Sequence, residues 1–179
     1  MVETAILEPE VAKRKFTAGV GTLGRSRHSV PGFPGVSWRV AEATFPTLKI
    51  LVTGPPGPLF FLSLDCTNYD FDPPWIAVLD TNDEPLAWGP LQVFGRSYMH
   101  YDKGGKPIGM RQDITWYQDN YGMICQRGNL AYHEAHNYDN WLDDRYRAEG
   151  SLPSIIESSL CSFDLDNVRK NKGLRLPMR

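Results

Sequence analysis

Cys125 is followed eight, nine and eleven residues later by His133, Glu134 and His136. A cysteine that surrenders its proton is a nucleophile and an acyl carrier, and a nearby imidazole can stabilise the thiolate or move the proton of an incoming nucleophile. Glu134 or Asp139 is a carboxylate of the type that orients an attacking amine. The same side chains are metal ligands by type, and Cys125, His133, Glu134 and His136 form the alternative zinc set. A zinc-held sulfur is a poor acyl carrier, so the two chemistries compete; satisfied structural residues are the third reading. No Cys-x-x-Cys pair accompanies the cluster. On a helix His133 and His136 share a face with Glu134 turned away, whereas on a strand Glu134 and His136 share one.

The other candidates are weaker. Cys66 follows an apolar run and Cys161 lies in a helical pattern, so both read as packing residues. His28 and His100 fall in segments that suggest surface roles. Trp141 and Arg145 are four apart, a spacing that lets a guanidinium cover an indole on a helix.

Several elements must position this cluster. Residues up to about 16 suit a short helix or strand, and TAGVGTLGRSRHSVPGFPG reads as a loop. GVGTLG lacks the strand-turn-helix setting and the Lys-Ser/Thr pair that a phosphate loop requires. Over residues 36–80, VSWRVAEAT, TLKILV, LFFLSL and WIAVLD are four strands of an antiparallel meander, turned at Gly54-Pro55-Pro56-Gly57-Pro58. Beyond them is a long irregular stretch with turn signals at 80–83 and 103–106, in which FGRSYMHY and IGMRQDITWY are arms of a hairpin. Ile155, Ile156, Leu160 and Phe163 share a helical face in residues 151–163, with Pro153 in the first turn. NVRKNKGLRLPMR is a basic, solvated end.

The 179 residues suffice for one core, and 41% hydrophobic with 22% charged residues exclude a disordered chain. With 19 basic against 21 acidic residues, no overall field recruits nucleic acid or an anionic membrane. Glu3, Glu8 and Glu10 interrupt the first apolar residues, against a signal peptide or a span. Three cysteines without a disulfide spacing suit a reducing, cytoplasmic compartment.

Gly54-Pro55-Pro56-Gly57, the run 59–64, Tyr69-Asp70-Phe71-Asp72-Pro73-Pro74 and the strand 75–79 together resemble the central meander of ubiquitin-conjugating enzymes. Asp70 stands where that family usually has a proline. Tyr121-Gly122-Met123-Ile124-Cys125 is similar to the family's Gly-x-Ile-Cys, although 51 residues separate Pro74 from Cys125, which indicates an insertion. The family's His-Pro-Asn is absent; Asp113-Ile114-Thr115-Trp116-Tyr117 occupies its region, so no oxyanion-stabilising Asn is assigned. Cys125, Tyr132-His133-Glu134-Ala135-His136, Trp141 and Arg145 resemble a narrower group, the conjugating-enzyme-like proteins of bacterial operons that also encode an activating enzyme, a ubiquitin-like protein and an isopeptidase. A related set is a predicted metal-binding Cys-Glu-His-His group. The likeness spans about 36–163.

The resemblance implies an α+β, UBC-like fold: a four-stranded antiparallel meander, flanking helices and a long active-site insertion. Residues 1–35 would be an N-terminal extension and loop, and 36–179 the conjugating domain. It further implies a ubiquitin-like protein transferase in antiphage defence that takes a ubiquitin-like protein from an activating-enzyme-like protein as a thioester on Cys125 and passes it to a protein target. Cys125, His133, Glu134 and His136 are the expected catalytic residues. No cofactor is expected, with zinc the alternative, and a non-catalytic binding module of the same fold is the other class.

Overall fold

A computed structural model describes residues 9–24, 26–55, 57–86, 95–112, 114–116, 122–135 and 140–171. The architecture is α+β. Its centre is a five-stranded antiparallel sheet in sequential order: β1 (His28–Ser29), β2 (Ser37–Thr44), β3 (Thr47–Gly54), β4 (Gly57–Asp65) and β5 (Trp75–Leu79). The four expected strands are its consecutive neighbours β2 to β5, and the fifth is the two-residue β1, which pairs His28 with Trp38. A count of four therefore falls one short, because two residues carry no readable alternation.

Period-2 patterning sets the register. Leu48 pairs with Leu64 and Ile50 with Leu62; Leu62 and Leu64 then face Val78 and Ile76 on β5. All six are buried on one face of the sheet, and a one-residue slip would turn them to the other face. Each buried aliphatic side chain contributes about 1.5–3 kcal/mol, so this face holds the register firmly. At the β3–β4 turn Gly57 has φ 113, a conformation that favours glycine.

Helix α1 (Pro9–Leu23) extends through the segment TAGVGTL that reads as loop. Phe16, Val20 and Leu23 lie at helical spacing and join the core. Gly19 is no breaker here: a Cβ on it would stand 2.8 Å from Leu152 Cδ1. Close helix crossing, not flexibility, is the reason for that glycine. GVGTLG is thus the last turns of α1, ended by Gly24 at φ 62. His28 Nε2 bonds the Leu23 carbonyl at 2.8 Å, and its ring stacks on Trp38. His28 is accordingly a half-buried cap on α1 rather than a surface residue. The segment 1–35, expected as extension and loop, contributes Phe16, Leu23 and Val30 to the same core as the sheet.

Strands β6 (Ser97–Tyr101) and β7 (Pro107–Gln112) form the expected hairpin, turned at Asp102, whose carboxylate accepts from the Gly104 and Lys106 backbones. Strands β8 (Ile114–Trp116) and β9 (Gly122–Ile124) pair antiparallel and lead to Cys125. Three short elements follow: α2 (Leu130–Ala135), α3 (Trp141–Asp144) and a single 3-10 turn (Ala148–Gly150). Helix α4 (Leu152–Cys161) buries Leu152, Ile155, Ile156 and Leu160, with Ser151 as N-cap accepting from Ser154 N. Cys161 falls one step off that stripe and is exposed, correcting its reading as a packing residue. Phe163 packs on Phe60 with ring centroids 4.8 Å apart. Part of the basic end, up to Asn171, forms α5 (Leu165–Asn171); residues 172–179 lie outside the described residues.

Candidate functional site

Cys125 is the first residue past β9, half-buried and in no disulfide. The loop 125–129 that it opens is tied down on three sides. Asn129 is fully buried; its Oδ1 accepts from Ile76 N at 3.2 Å, and its Nδ2 donates to Ile124 O at 3.0 Å. One side chain therefore joins the residue before Cys125 to the outer edge of β5. Leu130 N donates to Pro74 O at 3.0 Å, adding a second tie to the Pro-Pro strand entry. Toward α4, Gln126 Nε2 donates to Ser159 Oγ, while Gln126 Oε1 accepts from Gly128 N. Gly128 presses so close that a Cβ would lie 2.6 Å from Ile155 Cγ1.

His133 fastens the third side. Helix α2 carries it and Glu134 on different faces, His133 half-buried and Glu134 exposed, as the helical alternative requires. His133 Nε2 meets Arg127 O at 2.6 Å. A carbonyl only accepts, so Nε2 bears the hydrogen and Nδ1 is the basic nitrogen of the neutral ring. His133 is thus locked to the backbone two residues beyond Cys125. His136 and Asp139 lie outside the described residues, as does Tyr121. Among the described residues no three His, Cys, Asp or Glu side chains come together as a metal ligand set.

Behind the loop, Arg127 reaches the buried Asp144 at 3.5 Å, and the His133 and Trp141 rings lie 6.2 Å apart. Trp141 Nε1 and Arg145 Nη1 both donate to the carbonyl of Asp70, at 3.3 and 3.0 Å. Arg145 does not cover the Trp141 indole; its guanidinium stands over Phe71 and Tyr146. The shared acceptor is available because Asp70 has φ 100, a strained setting for a non-glycine residue. Tyr69 and Phe71 do not alternate along a strand; Phe71 N and Asp72 N both return to Asn68 O in a turn. Tyr69 is buried and donates from its hydroxyl to Gly150 O at 2.8 Å. Burial pushes its phenol pKa up, as it does for the Cys66 thiol. Cys66 is therefore an inert core thiol, whereas Cys125 is reachable from solvent.

Sequence reasoning missed Asn129 and Gln126. The signal for Asn129 was local: an Asn directly before the run LAYHEA is a helix N-cap pattern, and Asn129 Oδ1 lies 3.4 Å from Ala131 N. Nothing local marks Gln126, whose partner Ser159 is 33 residues away. No protein-family model matches the chain, and no curated protein matches it either.

Proposed function

We propose that the chain is a conjugating-enzyme-type carrier of UBC-like fold, with β2 to β5 as the family meander and the stretch from β6 to β9 as the active-site insertion. Cys125 accepts a ubiquitin-like protein from an activating-enzyme-like protein and transfers it to a protein target in the bacterial cytoplasm, as part of antiphage defence. The observation that supports this reading is the pairing of a half-exposed Cys125 with a loop fastened to Pro74 and Ile76, the segment that carries the family likeness. A nucleophile on a fixed, solvent-reachable loop suits acyl transfer between two bulky proteins, because orientation is established before the acceptor arrives.

The chemistry divides in two. Cys125 Sγ, as thiolate, bonds to the terminal carbonyl carbon of the ubiquitin-like protein, and the activating enzyme's thiolate leaves. An acceptor amine then attacks that carbon, the C–S bond breaks, and Cys125 regains its thiolate. The ammonium proton must go to a base, and His133 Nδ1 is the assigned acceptor; His136 and Glu134 remain the further proposed participants. This route uses no cofactor, and zinc on Cys125 would block it.

Incubation with the activating enzyme, the ubiquitin-like protein and ATP, resolved on non-reducing gels, tests the reading. Wild type should form a thiol-sensitive adduct, Cys125→Ser a thiol-resistant one and Cys125→Ala none. Absence of any adduct with an activating enzyme that charges its own cysteine would refute it.

A further inference from the structure

A second site lies behind Trp141. A cavity of about 260 Å³ opens between α1, the Asp70 turn, the segment after α3 and the start of α4. Tyr69, Trp141 and Leu152 line it with apolar surface, while Lys15, Arg145 and Arg147 line it with charge. Asp70 also lines the cavity and pairs with Lys15 at 3.2 Å. Three cations against one carboxylate leave two positive charges uncompensated. Arg147 is exposed, and among the described residues its guanidinium has no ion pair. Arg145 is half-buried and held in the cavity wall, with Nη1 donating to the Asp70 carbonyl and Nη2 to the Tyr146 hydroxyl.

Helix α4 begins at this cavity. Two of its first donors are already used: Ser154 N by Ser151 Oγ and Ile155 N by Ser151 O. The helix therefore contributes the positive end of its dipole, and the side chains contribute the bonds. Two surplus charges match a phosphate monoester, which carries about −1.5 to −2 at neutral pH. The aromatic wall matches a flat apolar body attached to it.

We infer that this cavity binds a small-molecule phosphate monoester, its phosphate held by Lys15, Arg145 and Arg147 and its body against Trp141 and Tyr69. Such a ligand would bridge α1 to the segment following α3, and so brace the Trp141 ring that stands beside His133. The inference does not depend on the acyl-transfer reading, because binding is measured on the protein alone.

Calorimetric titration with inorganic phosphate, phenyl phosphate and benzoate, at ionic strength held constant with chloride, tests it. Phenyl phosphate should bind saturably and tighter than either of the others. Lys15→Gln and Arg147→Gln, both at solvent-reachable side chains, should each weaken it by about tenfold, the effect of losing one charge-assisted bond. Lys106→Gln, on the distant hairpin turn, should leave it unchanged. Circular dichroism verifies that each variant is folded. No saturable binding to wild type, equal binding by folded Arg147→Gln, an equal loss in Lys106→Gln, or tighter binding of benzoate would each overturn the inference.

Discussion

Replacing Asn129 by Ala should be among the most damaging single changes in the candidate site, although Asn129 does no chemistry. Its side chain supplies the acceptor for Ile76 N and the donor for Ile124 O, and both bonds are buried. A buried group deprived of its partner costs about 1–3 kcal/mol. Two such groups sum to about 2–6 kcal/mol, and a water admitted into the vacated space offsets part of it, leaving about 2–4 kcal/mol. With a urea m-value of about 2 kcal/mol per molar, a loss of 3 kcal/mol lowers the unfolding midpoint by about 1.5 M. Asn129→Asp separates the two bonds. It keeps the acceptor for Ile76 N but sets a carboxylate oxygen against Ile124 O, which raises the folded-state carboxyl pKa. A raised folded pKa means that stability is lost as pH rises, so the penalty relative to wild type should grow from about pH 4 upward. Urea titrations of both variants at pH 5 and pH 8 measure this. An Asn129→Ala midpoint unchanged from wild type would refute the claim that one side chain anchors the Cys125 loop. An Asn129→Asp penalty flat in pH would refute the assigned orientation of the amide.

Gly150→Ala should destabilise by about 1–3 kcal/mol, because the added Cβ would lie 2.5 Å from Arg145 Cα and 2.7 Å from Asp144 O, neither of which a rotamer change can move; thermal unfolding reads it, and a wild-type Tm would refute the close approach. Cys66 predicts alkaline lability. Its thiol pKa is raised by burial, so the unfolded chain releases that proton first and stability, complete below about pH 8.5, falls above it by up to about 1.4 kcal/mol per pH unit. Urea midpoints of wild type and Cys66→Ala should converge between pH 8.5 and 10, and parallel pH curves would contradict the burial argument.

The sheet was legible because its signals are local. Alternation in VSWRVAEAT, TLKILV and LFFLSL sets the inward residues, and the Gly-Pro turn separates β3 from β4 without reference to anything distant. Helix α4 was legible for the same reason. The second half of α1 was not, since Gly19 carries one meaning as a breaker and the opposite one when Leu152 crosses above it. His28 was misread because its stacking partner Trp38 and its acceptor Leu23 meet it only after the chain folds back. Cys125 and His133 share one short loop-and-helix unit, so spacing sufficed to associate them. Trp141 and Arg145 do meet, but at Asp70, more than 70 residues earlier, through a backbone conformation that no residue pattern announces for aspartate.

The ties that fasten the Cys125 loop also govern how the sheet meets other chains. Along β5, Pro74 O takes Leu130 N, Ile76 N takes Asn129 and Val78 O takes Leu86 N. Those backbone groups are the ones an invading strand would have to use, so this border is closed to strand addition and to the edge-to-edge stacking that begins fibrils. At the opposite border β1 covers only Ser37 and Trp38. Beyond it, β2 shifts register between Val40 and Glu42 and presents exposed, partly charged residues, an arrangement that discourages a flat partner. The five-stranded sheet thus ends, at β5, where the loop that carries Cys125 closes it.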